Sequence, residues 1–200
     1  MGLLDTNQIV QVDLLTFTVV RTFTTYVNEF NGWAGIARDI AVQPGRNDTI
    51  VVSLMVRNLS PSFDRVMAFR DGVALANYID SGEIEEIEML DASTVFGEGP
   101  HATSDLLHLD DTGVTVTRHT DNYSDLSSRL WFGLLKLAGS NVVTVSGHAV
   151  DPQTETVVQT YGSGHDNLGA FAPDVADNKI VYLDDVRTGG LPTWRFTEYD

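Results

Sequence analysis

Two histidines and three aspartates stand close together in the sequence. His101, Asp105, His108, Asp110 and Asp111 carry the imidazole and carboxylate groups that bind zinc, manganese or iron when they converge. The histidines, however, are seven residues apart in a predicted loop and lack the i, i+4 spacing of ligands on one helix face. In a chain with 20 aspartates, any histidine has a carboxylate nearby by chance. We therefore predict solvated turn residues here and assign no metal site.

A second group of reactive residue types lies in the run Gly162-Ser163-Gly164-His165-Asp166. Serine, histidine and aspartate form catalytic triads, but triads are assembled from separate segments, and neighbours on one loop cannot reach one another in that geometry. The G-x-S-x-G elbow, the Walker loop, the Rossmann fingerprint and H-E-x-x-H are all absent from the sequence. The run predicts a flexible turn, and we expect no enzyme activity, catalytic residue or cofactor.

Two pairs of aspartates and the lack of cysteine limit the kinds of metal site that the chain can form. Asp110-Asp111 and Asp184-Asp185 offer oxygen ligands, but neither pair lies in the alternating loop of an EF-hand. Solvated acidic turns with weak cation occupancy at high salt are the simpler interpretation. The absence of cysteine excludes disulfides, thiolate catalysis and zinc–cysteine sites.

The charge composition is the strongest signal in the chain. Its 20 Asp and 8 Glu face only 2 Lys and 10 Arg, for a formal net charge of -16. This pattern is typical of a protein that works in molar salt, where the Debye length falls to about 3 Å and self-repulsion is screened. A negative field also argues against nucleic acid as a partner, because phosphate binding needs clustered Lys or Arg. High-salt cations are the expected small partners.

Strand signals dominate the pattern of apolar residues. Valine and threonine favour strands, and alternation predicts one at Thr49–Arg57 with Ile50, Val52, Leu54 and Val56 on a buried face. Asp71-Gly72 predicts a hairpin between Arg65–Arg70 and Val73–Ile79, with a helix over Phe63–Tyr78 as the alternative. Further strands are predicted in these ranges: Gly113–His119, Ser128–Leu137, Val142–Val150, Thr154–Tyr161, Ile180–Leu183 and Thr193–Glu198.

The remaining segments complete the predicted architecture. The run Ile9–Val27 changes phase near Leu14-Leu15, which indicates a bulge or two strands meeting at a bend. Long irregular segments are predicted at Phe30–Asn47, Asp91–Leu109 and Gly162–Asn178, where partners should bind. The expected fold is all-β: one antiparallel, jelly-roll-like β-sandwich of about 8–10 strands over residues 1–200. No transmembrane helix or secretory signal is predicted.

In length and strand pattern, the whole chain resembles the single jelly-roll capsid proteins of haloarchaeal icosahedral viruses. The resemblance implies a non-enzymatic capsid subunit that builds a shell over an internal membrane, with copies of itself and other virion proteins as partners. It also implies assembly in the host cytoplasm and residence in the virion. The tail-tube proteins of haloarchaeal tailed viruses are a close rival, and a haloarchaeal binding module is a further alternative. A small all-β hydrolase or isomerase would require histidine and carboxylate to converge in a pocket.

An assembly of subunits predicts apolar contact residues, because obligate interfaces are depleted in charge. The aromatic residues of the long segments are the candidates. We expect Trp33, Phe96, Phe171 and Trp194 at subunit contacts, flanked by carboxylates.

Overall fold

The structure is a computed structural model of the chain. It describes residues 6–27, 32–56, 63–80, 84–99, 103–120, 135–144, 147–161, 168–174, 176–177, 179–186 and 193–199. Two compact units divide the chain, Met1–Asp121 and Asn122–Asp200. The expectation of a single domain over 1–200 stays a prediction. Among the described residues, none belongs to a helix long and apolar enough to cross a bilayer.

Seventeen β-strands lie in the described part of the chain, more than the 8–10 predicted. Those of the first unit are β1 (Gln8–Asp13), β2 (Thr18–Thr24), β3 (Ile36–Val42), β4 (Thr49–Met55), β5 (Phe63–Arg70), β6 (Val73–Ile79), β7 (Glu86–Met89), β8 (Thr94–Gly99), β9 (Thr103–Leu109) and β10 (Val114–Thr120). Those of the second unit are β11 (Leu135–Ala138), β12 (Asn141–Thr144), β13 (His148–Asp151), β14 (Thr156–Thr160), β15 (Leu168–Asp174), β16 (Lys179–Val186) and β17 (Thr193–Tyr199).

The strands form five small antiparallel sheets. Strands β1 and β2 make a hairpin, β3–β6, β7–β10 and β11–β14 make four-stranded sheets, and β15–β17 make a three-stranded sheet. In every sheet, each strand pairs only with its neighbours along the chain. A jelly roll instead needs long connections that bring distant strands side by side. The prediction of an all-β chain is confirmed, but that of a jelly-roll sandwich is wrong.

The β5–β6 hairpin follows its turn chemistry. Asp71 and Gly72 have φ angles of 52° and 76°, as a two-residue hairpin turn requires, and the strands run up to both sides of them. The predicted hairpin is confirmed over the alternative helix. The phase change near Leu14 is likewise a turn between two strands, β1 and β2.

Several predicted boundaries are wrong. The segments predicted to be irregular contain β3, β8, β9 and β15, and the predicted strand Val142–Val150 is two strands, β12 and β13. These strands were missed because polar residues and glycines interrupt their apolar alternation, as in the sequence Thr-Val-Phe-Gly-Glu-Gly of β8. Of the predicted strand 128–137, residues 128–134 lie outside the described residues, and the rest belongs to β11 at the end of its sheet.

The first unit has a hydrophobic core on each face of the β3–β6 sheet. One cluster contains Val51, Val66 and Ala68 together with Ile87 and Val95 of the β7–β10 sheet. The other contains Val52, Leu54 and Phe69 from the opposite face, together with Ile9 of β1. Strand β4 is therefore buried on both faces, whereas the alternation predicted one.

The second unit has a smaller, aromatic core. Val143 and Ala149 of the β11–β14 sheet share it with Tyr161 and with Phe171 and Tyr182 of the β15–β17 sheet. The Phe171 and Tyr182 rings lie 5.6 Å apart in a tilted arrangement. Aromatic rings bury large areas, so a few of them suffice for a core of this size.

Close backbone packing between β6 and the start of β10 requires a glycine at the position of Gly113. Gly113 has a φ of 137°, forms a parallel bridge with Asn77, and leaves no room for a Cβ because the Asn77 carbonyl oxygen occupies that space.

We predict that Gly113→Ala lowers the free energy of unfolding by more than about 3 kcal/mol. Gly45→Ala is the matched control, since Gly45 also has a positive φ but faces open space. It should cost only about 1 kcal/mol. Equal losses in urea unfolding would contradict this packing.

Candidate functional site

Four residues of the histidine–aspartate group, Asp105, His108, Asp110 and Asp111, are described by the structure and have separate surroundings. Asp105 is buried and pairs with His119 of β10, whose Nδ1 lies 2.9 Å from Asp105 Oδ1. His108 is exposed on β9. A hydrogen bond from the Thr112 hydroxyl has the largest effect in lowering the pKa of the Asp110 carboxyl. The Thr112 and Gly113 amides also donate to Asp110 and lower its pKa further. Asp111 pairs with Arg70 at 2.8 Å.

The other sequence candidates are described only in part. His101 and the run 162–166 lie outside the described residues, and Asp184 and Asp185 are described through their backbone pairing with Arg195 and Trp194. His148 is buried, with Nδ1 3.1 Å from the Thr160 hydroxyl. No group of three or more histidines or carboxylates in the described ranges is arranged to hold a metal ion.

Two of the four aromatic residues expected at subunit contacts are core residues. Phe96 is 4% exposed in the β7–β10 sheet and Phe171 is 6% exposed in the aromatic core, so neither offers its ring to a partner. Trp33 is 38% exposed. The prediction is wrong for the two phenylalanines, because their segments are strands of a sheet and not loops.

A polar junction joins the β3–β6 and β7–β10 sheets. The amide N–H of Ile87 on β7 donates to Asp39 Oδ2 on β3 at 2.9 Å, and Asp39 Oδ1 accepts from the Ile40 amide at 2.8 Å. The Ser53 hydroxyl of β4 donates to the Ile84 carbonyl at 2.7 Å. Buried polar groups must be paired, so each bond fixes the position of one sheet against the other.

Three buried glutamates lie at the same junction. Glu85 and Glu86 are both 5% exposed, and both face the guanidinium of Arg38, with Nη2 3.7 Å from Glu85 and 3.0 Å from Glu86. Glu98 of β8 stands directly opposite Glu86 in the strand pairing and is 7% exposed. Side chains of directly paired residues lie on the same face of a sheet. Glu85 and Glu86 therefore share one guanidinium, and Glu98 lies on the same face of the sheet as Glu86.

Burial changes how these carboxyls ionise. It raises the pKa of Glu86 to about 7, with a further increase from the negative charge of Asp39 and from a hydrogen bond between the two carboxyls; Arg38 opposes this shift. Burial also raises the pKa of Glu98 well above its ordinary value, and Glu86 and Glu85 raise it further. The pKa of Glu85 is raised by burial and lowered less by Arg38. A neutral carboxyl can donate a hydrogen bond, so protonated Glu86 can donate to Asp39.

Sequence reasoning missed this junction. The run 83–88 contains four glutamates and resembles any solvated acidic segment of a chain with a net charge of -16. Its signal is the alternation of Ile87 and Met89 with Glu86 and Glu88, which indicates strand residues beside a core.

A second feature is an exposed apolar arm. The base of the β1–β2 hairpin packs on the β3–β6 sheet, where Ile9 joins the core and the Phe23 ring lies 5.4 Å from that of Phe69. Farther along the hairpin, the Arg21 guanidinium binds Asp71 of the β5–β6 turn at 3.0 Å. Residues 14–20 continue beyond these contacts and are all exposed; we call them the apolar arm.

The arm exposes large side chains in a strained turn. Leu14, Leu15 and Phe17 are 78%, 94% and 81% exposed. Phe17 has a φ of 54°, a left-handed conformation that is uncommon for a bulky residue. The Asp13 carboxylate holds the turn by accepting from the Leu15 amide at 2.7 Å and the Thr16 amide at 3.1 Å. Clustered apolar exposure and backbone strain together point to an interaction site.

The comparisons with known proteins identify the fold. No protein-family model and no curated protein matches the chain. Among solved structures, the chain is similar to the β-propeller domain of Cps50 (Swd1) from Myceliophteria thermophila, with a TM-score of 0.61 and 10% sequence identity. The match covers 92% of this chain and 57% of that domain.

The fold is a β-propeller. The small antiparallel sheets, each a meander of three or four strands, correspond to propeller blades. Such a fold is compatible with protein partners. The resemblance to viral jelly-roll capsid proteins is wrong, and so is the viral function it implied, because the shared size and strand content belong to a different β architecture. Neither the tail-tube nor the haloarchaeal alternative gains support.

Removal of the buried Ser53 hydroxyl tests how much the junction contributes to the free energy of unfolding. We predict that Ser53→Ala lowers the free energy of unfolding by about 1–3 kcal/mol, because the Ile84 carbonyl loses its partner inside the protein. Thr117→Val is the control: the Thr117 hydroxyl donates to the Leu106 carbonyl at the same 2.7 Å, but in an exposed position. Its loss in urea unfolding should be within about 0.5 kcal/mol of zero. If both variants lose the same amount, the junction does not stabilise the unit.

Proposed function

We propose that this chain is a non-enzymatic protein-interaction module with a β-propeller fold, and that the apolar arm is the element that binds its partner. The observation that carries the proposal is the exposure of Leu14, Leu15 and Phe17 at the turn of one hairpin. Solvent-exposed apolar clusters of this kind are typical of contact surfaces.

The surroundings of the arm suit the rim of an interface. Three arginine–aspartate pairs lie at the turns below it: Arg21–Asp71 at 3.0 Å, Arg46–Asp48 at 3.1 Å and Arg70–Asp111 at 2.8 Å. An apolar centre within a polar, ion-paired rim is the usual arrangement of a protein–protein interface. Side chains of the arm would supply most of the binding energy, and the rim pairs would set the orientation.

The charge of the chain favours a basic partner. A net charge of -16 attracts a positively charged protein and speeds their association, whereas a second copy of this chain is repelled. The proposed partner is therefore a different protein, with an apolar cleft bordered by Lys or Arg.

Paired capture experiments test this proposal. Wild type, Leu15→Ser/Phe17→Ser and the exposed control Val158→Ser, on β14 outside the arm and its rim, are immobilised and offered the same cell extract. We expect at least one basic protein to be retained by wild type and by the control but not by the arm variant. With that protein purified, the arm variant should bind at least about 30-fold more weakly, the effect of about 2 kcal/mol.

Two results would overturn the proposal. One is a set of retained proteins that does not change when the arm is substituted. The other is a homodimer in sedimentation analysis that the arm variant dissociates, because the occupant of the arm would then be a second copy.

The strain at Phe17 gives a separate prediction. Asn tolerates a positive φ better than Phe, so Phe17→Asn should raise the free energy of unfolding by about 0.5–1 kcal/mol while weakening binding. Phe196→Asn is the control, since Phe196 is 76% exposed on β17 and does not have a positive φ. A stability gain at Phe196 as large as that at Phe17, measured by urea unfolding, would contradict the role of strain.

A further inference from the structure

We propose that Glu86, with its partners Asp39 and Glu98, forms a proton-dependent latch between the β3–β6 and β7–β10 sheets. With a proton on Glu86, its carboxyl donates a hydrogen bond to Asp39 and the two sheets are held together. Loss of that proton weakens the junction. The inference concerns stability and regulation of the first unit and does not depend on the proposed partner.

The surroundings of Glu86 support this proposal. Asp39 on β3 accepts from the Ile87 amide of β7 at 2.9 Å, and Glu86 on β7 is 5% exposed, with the Arg38 guanidinium at 3.0 Å. Glu98, which is 7% exposed, stands directly opposite Glu86 in the strand pairing. In the proposed latch, protonated Glu86 adds a second donor from β7 to Asp39, and this contact exists only while Glu86 carries its proton.

The groups that face Glu86 come from each strand packed on β7. Strand β3 supplies Arg38 and Asp39, strand β8 supplies Glu98, and Glu85 precedes β7 itself. Strand β4 (Thr49–Met55) has no charged residue and contributes the Ser53 hydroxyl bond to Ile84. Arg38, whose side chain is 39% exposed, already contacts Glu85 and Glu86. When Glu86 ionises, one half-exposed guanidinium faces Asp39, Glu85 and Glu86 together, and like charges in a buried site repel strongly.

The direction of the pH effect follows from proton binding. Burial raises the pKa of Glu86 from 4.5 to about 7 in the folded chain. Between these values the folded chain holds a proton that the unfolded chain releases, so unfolding becomes more favourable as the pH rises. The stabilisation is fully present below pH 4.5 and is lost as the pH rises through about 7. Carboxylates such as Asp91, whose pKa is lowered by the Ser93 amide, have the opposite dependence and act only at lower pH.

Urea unfolding at pH 5 and pH 7 tests the latch. The wild-type unfolding constant should rise by roughly 40-fold over this range from Glu86 alone. Glu86→Gln keeps a donor for Asp39 but cannot ionise, so its rise should be at least about tenfold smaller than that of wild type. Ser53→Ala, which removes a hydrogen bond of the same junction but no ionisable group, should keep the wild-type dependence. A rise for Glu86→Gln equal to that of wild type would overturn the proposal.

A second variant and a local measurement test the latch even if Glu86→Gln does not fold. If Glu86→Gln does not fold, Glu98→Gln should also reduce the pH dependence, because Glu98 stands opposite Glu86. Hydrogen exchange of the Ile87 amide, corrected for its intrinsic pH dependence, reports the junction directly. Its protection in wild type should fall between pH 6 and pH 8, while that of the Val95 amide in the neighbouring strand should fall less. Equal losses at both amides would show that the sheets do not separate at this junction.

Discussion

The carboxylate of Asp39 is the constraint on which the first unit depends. It accepts a hydrogen bond from the Ile87 amide of β7 and thereby links the β3–β6 and β7–β10 sheets, whose strands pair within their own meanders. The two sheets also share a backbone bridge between Asn77 and Gly113, where the Asn77 amide donates to the Thr112 carbonyl at 2.7 Å. Apolar packing around Ile84 and Ile87 attracts them, and the directional bond of Asp39 sets their relative position. The apolar arm in turn is anchored on the β3–β6 sheet.

Local chemistry made parts of this fold predictable. The Asp71-Gly72 turn and the alternation at Thr49–Met55 depend on neighbouring residues, so the sequence alone indicates them. The grouping of strands into five sheets depends on distant contacts, and a list of strands is compatible with a sandwich or a propeller. Strands β3 and β8 were missed because their polar residues, the half-buried Asp39 and the buried Glu98, belong to a network that local alternation does not reveal.

The carboxylates illustrate the same limit. Most of the carboxylates that the structure describes are surface or turn residues, as predicted. Asp91 and Asp110, for example, accept hydrogen bonds from turn amides, as expected of short acidic side chains. Glu85, Glu86, Glu98 and Asp105 are buried instead. Composition cannot separate these buried acids from exposed ones, because burial is decided by the partner strand. The arm was visible as the phase change near Leu14, but its exposure could be known only once the hairpin base was placed on its sheet.

The protonation state of Glu86 tests the account most directly. Carbon-13 NMR of the side-chain carboxyls at pH 6 reports ionisation for each glutamate, with the exposed Glu198 as an internal reference. The account predicts that Glu86 is mostly protonated at this pH and that its pKa is about 7. A Glu86 signal that is already fully ionised at pH 6 would contradict it, because Asp39 could not then accept a hydrogen bond from that side chain.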